Sequence, residues 1–175
     1  DGGSSGRLRE EFGIVPPGDL RMALAALCGD DTWGSTWARV LQHRFSSQGE
    51  LDGHSLGNLL ITALWEETDN LVEGLDWVAR LLDAKGRVLP LCEEPLEIYA
   101  EVLTSAGEIE LVRGQVQVAT TPHKIQKIGL DPSQPTVCSK AVAAVRNADF
   151  VVLGPGSWYT SVLTHFQVPQ MAAAL

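Results

Sequence analysis

The chain has 175 residues, with 13 Lys+Arg against 22 Asp+Glu and a formal net charge of −9; this balance argues against a nucleic-acid partner, because phosphates repel an acidic surface without basic clusters. With 45% hydrophobic and 20% charged residues it reads as globular, and its apolar runs fall short of the roughly 18 residues that a membrane-spanning helix needs. Its length fits one domain, and residues 1–6 lack the basic and apolar stretches of a secretory leader.

In chain order, Asp1-Gly2-Gly3-Ser4-Ser5-Gly6 reads as a glycine-serine loop, followed by a short helix over 7–12 that Gly13 stops. Asp19 is the expected N-cap of a helix with Leu20, Leu24 and Leu27 on one face. A third helix is expected from Trp33 or Thr36 to about Arg44, then a loop over 46–50. The clearest helical stripe is Leu56, Leu59, Leu60, Ala63 and Leu64, starting near His54. Asn70 and Glu73 have the capping-box spacing ahead of Leu71, Leu75, Val78 and Leu82.

From Gly86 the period changes. Strands are predicted over 87–91, 96–102, 109–111, 116–118 and 124–128, with a turn at 105–108, which together suggest a small antiparallel unit with one wet face. Ser139 is placed as the cap of a helix carrying Val142 and Val145. Residues 149–153 read as a solid apolar strand of the kind buried in a parallel sheet, and 169–175 as the start of another core strand. A short helix with Trp158, Val162 and Phe166 is expected between them. The three cysteines, Cys28, Cys92 and Cys138, are widely spaced and odd in number, which fits buried thiols in a reducing cytosol better than disulfides or a metal cluster.

Three segments could carry a ligand. Gly154-Pro155-Gly156-Ser157 follows the predicted strand at 149–153, where a turn and a helix N-terminus aim unpaired N–H groups at one spot; the bland alternative is a tight turn. Asp1, Gly2, Gly3, Ser4 and Ser5, with Arg7 behind them, offer amides, hydroxyls and a guanidinium to a phosphate or diphosphate, although a flexible chain end has the same composition. Gly53-His54-Ser55-Leu56-Gly57 matches the Gly-x-Ser-x-Gly pattern of a hydrolase elbow, but the polar, turn-like 48–52 replaces the strand that motif requires, so the hydrolase reading is rejected. There His54, Asn58 and Thr62 fall on one polar line of a helix, so His54 and Asn58 can face one ligand; a helix-capping structural histidine is the alternative. Asp30-Asp31 reads as a solvated helix-end loop, Trp65 and Trp77 as packing residues, and no acidic spacing is diagnostic of a metal.

Taken together, Asp-Gly-Gly-Ser-Ser-Gly-Arg at 1–7, Pro-Pro-Gly-Asp-Leu-Arg at 16–21, Gly-His-Ser-Leu-Gly-Asn-Leu at 53–59, Arg-Val-Leu-Pro at 87–90 and Ala-Asp-Phe-Val-Val-Leu-Gly-Pro-Gly-Ser-Trp-Tyr-Thr-Ser-Val at 148–162 resemble the YvcK-like gluconeogenesis factors, relatives of the CofD 2-phospho-L-lactate transferases. The resemblance implies an α/β fold, a Rossmann-like parallel sheet flanked by helices with the small antiparallel unit in mid-chain. It also implies a cytoplasmic regulator, without an established reaction, that binds a nucleotide sugar of the UDP-N-acetylglucosamine type and supports cell shape and growth on gluconeogenic carbon sources. Carried over, Gly2 to Ser5 and Gly154 to Ser157 would border the ligand, with His54 and Asn58 nearby, no catalytic residue and no metal. Family members start with a strand and glycine loop before the Asp-Gly-Gly segment and continue past 172–174, so residues 1–175 are expected to be an internal fragment of one nucleotide-sugar-binding domain. A CofD-type transferase acting on a deazaflavin and a protein-binding scaffold are the alternatives; homo-oligomerisation and regulatory partners stay open.

Overall fold

The computed structural model describes residues 3–154 and 156–175. The chain forms two compact units, Gly2–Pro90 and Leu91–Leu175.

The first unit is helical: α1 (Gly3–Phe12), α2 (Gly18–Ala26), α3 (Thr32–Gln42), α4 (Leu56–Thr68) and α5 (Leu71–Leu81). Its core gathers Leu24, Leu41, Ile61, Trp65, Leu75, Val78 and Leu82, the apolar stripes of four successive helices. Two caps mark where helices begin. Asp31 Oδ1 accepts the Gly34 N–H at 2.7 Å to start α3, and Asn70 Oδ1 accepts the Glu73 N–H at 2.9 Å to start α5. The Asn70 cap agrees with the sequence pattern, whereas Asp31 does more than the solvated loop expected of it. Asp19 lies in the first turn of α2 with Pro17 as N-cap, and not at the cap position. Proline suits the start of a helix because its φ is already helical and its missing N–H would have had no partner there. Trp65 packs in the core, while Trp77 is exposed with the Arg80 guanidinium 4.9 Å over its ring.

The expected loop over residues 1–6 is corrected from Gly3 onward, where the chain is already the first turn of α1. Glycine and serine are weak helix formers, but tertiary hydrogen bonds from Ser4 and Ser5 hold the turn. Gly13, with φ +66°, ends α1 as anticipated, and its N–H bonds the Arg9 carbonyl at 2.9 Å.

The second unit carries β1 (Glu97–Leu103), β2 (Ile109–Arg113), α6 (Gln115–Thr120), β3 (Lys124–Asp131), α7 (Ser139–Arg146), a π-helical turn (Trp158–Val162), α8 (Leu163–Phe166) and α9 (Pro169–Ala172). The strands make one antiparallel sheet in the order β2-β1-β3, with Tyr99 opposite Arg113 on one side and Gly129 on the other. Ile98, Ala100 and Val102 bury one face of β1, as the alternation predicts. Arg113 ties all three strands by donating to Glu97 at 3.0 Å and to Asp131 at 3.1 Å.

The mixed α/β class and the antiparallel unit hold; no parallel strand pair occurs among the described residues. Five further expectations are corrected. Residues 87–91 form no strand, and only a single bridge, Cys92 with Val137, follows them. Residues 116–118 lie in α6, because Gly114 (φ +93°) turns the chain out of β2 and Val118 is buried while Val116 is exposed, a difference that strand alternation would not give. Residues 150–153 are an unpaired segment with Phe150 and Val152 at 88% and 87% exposure, since a solid apolar strand is stable only between neighbours that cover both faces. Residues 169–172 are helical, started by Pro169 at the first position and closed by the Ala172 N–H on the Val168 carbonyl at 2.9 Å. Cys138, and not Ser139, occupies the N-cap of α7.

All three cysteines are free; Cys92 and Cys138 are buried and Cys28 is half-buried. Burial pushes the Cys92 thiol up to about 11, helped by the charges of Glu94 and Glu93, so it stays protonated and unreactive. Among the described residues, no helix is long and apolar enough to cross a membrane.

Candidate functional site

Residues far apart in sequence meet where the first turn of α1 packs on the start of α4. Ser4, only 1% exposed, is the hub. Its Oγ accepts the Ser55 backbone N–H at 3.1 Å and the Asn58 Nδ2–H at 3.0 Å, and lies 3.1 Å from His54 Nδ1. A hydroxyl has two lone pairs and one proton; both lone pairs are taken, so the proton goes to His54 Nδ1. Valence therefore assigns the neutral tautomer that carries its hydrogen on Nε2. The electrostatics agree, because burial and then the charge of Arg7 lower the His54 pKa against a smaller opposing effect of Glu11.

Asn58 is also 1% exposed and links two helices to α4. Its amide nitrogen serves Ser4 on α1, and its Oδ1 accepts the Arg21 Nε–H of α2 at 2.9 Å. Arg21 is 5% exposed, and burial, then the nearby charge of Arg44, lower its pKa despite the favourable charge of Asp19. Gly57 makes the approach possible. A Cβ there would lie 2.5 Å from the Leu41 carbonyl oxygen and 2.8 Å from Arg21 Cδ, so only glycine lets α3 and the arginine stem come this close.

The loop that delivers His54 is pinned from both sides. Arg7 donates through Nη1 to the Glu50 carbonyl at 3.3 Å and through Nη2 to the Asp52 carbonyl, while its Nε is buried without a hydrogen-bond partner. Arg44 donates to the Gly53 carbonyl at 2.9 Å and forms a β-bridge to Ser55. The Phe45 N–H bonds the His54 carbonyl at 3.0 Å. Ser55 is not a nucleophile here: it is fully buried and its hydroxyl donates to the Leu41 carbonyl at 3.0 Å.

Of the residues singled out from sequence, the structure brings together Ser4, His54 and Asn58, with Arg7 beside His54. Ser5 is committed elsewhere, accepting the Gly18 N–H at 2.8 Å to lock α1 to α2. Gly3 opens α1 at φ +64° with nothing within 4 Å of a Cβ built there. Thr62 donates to the Asn58 carbonyl at 2.9 Å and extends the polar line down α4. Gly154, Gly156 and Ser157 belong to the other unit. Ser157 Oγ accepts the Thr160 N–H at 3.3 Å to cap the π-helical turn, and the buried strand expected to precede the turn is absent. Asp1, Gly2 and Pro155 lie outside the described residues.

Sequence reasoning passed over Arg21, although the signal was present. Arg21, Leu24 and Ala25 are the buried residues of α2, so a charged residue stands on the inward i, i+3, i+4 stripe. The result is three arginines and a neutral histidine around two helix starts, in a chain whose net charge is −9. Such a cluster offers donors to an anion; its hydroxyls are consumed internally.

The sequence profile of the family described as 2-phospho-L-lactate transferase CofD matches residues 1–175. The gluconeogenesis-factor homologue of Mycobacterium tuberculosis is 52% identical over 178 residues, covering all of this chain and 52% of its own. The gluconeogenesis factor of Listeria monocytogenes is 35% identical over 172 residues, covering 98% and 51%. A crystal structure of a UPF0052-family protein from Bacillus halodurans superposes with a TM-score of 0.88 at 37% identity, over 99% of this chain and 54% of that one. The chain thus spans about half the length of these relatives.

Proposed function

The chain belongs to the CofD family, and from that membership we propose that the protein is a regulator of the gluconeogenesis-factor kind, acting in the cytoplasm, that holds a nucleotide sugar of the UDP-N-acetylglucosamine type and couples it to cell shape and to growth on gluconeogenic carbon sources. The relatives named gluconeogenesis factor support the regulatory part. One observation supports the ligand class: the Ser4–Asn58 hub holds His54 and Arg21 in fixed orientations inside a group of arginines, as a diphosphate-bearing ligand requires. The proposal is confined to the first unit and to Ser4, Arg7, Arg21, His54 and Asn58. It keeps the Rossmann-like sheet as an expectation for the longer protein.

Ser4 and Ser55, the hydroxyls nearest His54, are both buried and hydrogen-bonded, so neither is free to act as a nucleophile.

A second reading is favoured by the family description itself: a 2-phospho-L-lactate transferase acting on a deazaflavin. Thermal denaturation of the full-length protein separates the two. UDP-N-acetylglucosamine should raise the melting temperature by mass action. No rise up to millimolar ligand, with a clear rise for a deazaflavin plus a phosphate donor, would replace the regulator with the transferase.

A further inference from the structure

Arg21 has an arrangement that packing alone does not account for. Arginine is seldom this buried without a carboxylate, because removing a charge from water costs several kcal/mol unless an opposite charge compensates it. Here, among the described residues, the single hydrogen bond of its guanidinium is to the neutral Asn58 oxygen and no carboxylate is within ion-pair distance. The neighbouring charge of Arg44 makes matters worse. Among the described residues the two Nη groups make no hydrogen bond, and the residue is 5% exposed.

The supporting residues fix which edge of the guanidinium is free. Asn58 occupies Nε and is itself held by Ser4, and Gly57 provides the space through which the stem crosses α4. What remains is the Nη1/Nη2 edge, two parallel N–H donors spaced to match two oxygens of one phosphate. We infer that Arg21 is the anion anchor of this cluster, binding a phosphoryl oxygen pair of a diphosphate through its Nη edge, with Asn58 as the residue that positions it. The inference rests on the nucleotide-sugar reading for the identity of the whole ligand but not for the diphosphate chemistry.

Isothermal titration of the full-length protein with inorganic pyrophosphate and, separately, with UDP-N-acetylglucosamine tests it. Arg21→Gln should weaken both by roughly 10- to 100-fold, the loss expected for a charge-assisted bidentate contact. Arg21→Lys should recover only part of the loss, because an ammonium cannot replace the planar fork. Asn58→Asp should keep the fold and weaken binding, since the new carboxylate competes with the ligand for Arg21. Should Arg21→Gln fail to fold, the Arg21 Nε–H resonance of the wild-type protein gives the answer, and it should shift as pyrophosphate is added. Pyrophosphate binding that depends on Arg21, without binding of the nucleotide sugar, would uphold the anchor and remove the nucleotide-sugar reading. Nucleotide-sugar binding of unchanged strength in Arg21→Gln would do the reverse. An unmoved Arg21 resonance, or no pyrophosphate binding at all, would overturn the inference.

Discussion

The Ser4 hydroxyl donates to Nδ1 of His54 across 3.1 Å, and that bond joins the first turn of one helix to the residue that leads into another, 50 positions later. Because Ser4 also accepts from Ser55 and Asn58, the pair fixes the imidazole's tautomer and the entry of α4 at once.

Ser4→Ala should therefore cost more than a typical serine truncation. It leaves the Ser55 N–H and the Asn58 Nδ2 buried without their acceptor, a penalty of about 1–3 kcal/mol. Urea denaturation should show the loss, and the 15N resonances of His54 should move away from a single Nε2–H tautomer. A stability equal to wild type would mean that water or another group serves those donors.

His54 also gives stability a pH dependence with a definite sign. Burial and Arg7 hold its pKa below the ordinary 6.5, so the unfolded chain takes up the proton more readily than the folded one. The contribution is fully present above the unfolded value and is lost as pH falls from there through the lower folded value. Denaturation midpoints measured from about pH 7.5 down to about pH 5 should fall in the wild type, and His54→Gln should flatten that slope. An identical slope in the variant would assign the titration to another group.

Two glycines of the quoted motifs should respond to alanine to very different extents. Gly57→Ala places a methyl 2.5 Å from the Leu41 carbonyl oxygen and should destabilise by about 1–3 kcal/mol, since helix backbones must separate to admit it. Gly154→Ala meets nothing within 4 Å and should change stability by less than about 0.5 kcal/mol. Melting temperatures of the two variants, compared with wild type, decide this.

The particular elements show which features can be read in a sequence. Asn70 with Glu73, the Leu75–Val78–Leu82 stripe and the alternation at Ile98, Ala100 and Val102 are local signals, and the structure follows each one. The glycine-serine stretch has the composition of a loop, yet it is helical from Gly3 onward because its helix depends on partners 13 to 54 residues away. The segments at 116–118 and 169–172 have strand-like composition, but Gly114 and Pro169 decide the backbone there. Of the site, His54 and Asn58 were legible from their spacing and Ser4 from the motif. Arg21 shares the i, i+3, i+4 stripe of Leu24 and Ala25, but a lone arginine in a leucine-bearing helix is ordinarily solvated, and its burial beside Asn58 is what identifies it.

The Ser4–His54–Asn58–Arg21 cluster is proposed to hold an anionic nucleotide sugar. Crystals of the full-length protein grown with UDP-N-acetylglucosamine test it most directly. Ligand density should appear with its diphosphate on the Nη edge of Arg21. An ordered ligand that touches none of these four residues would contradict it.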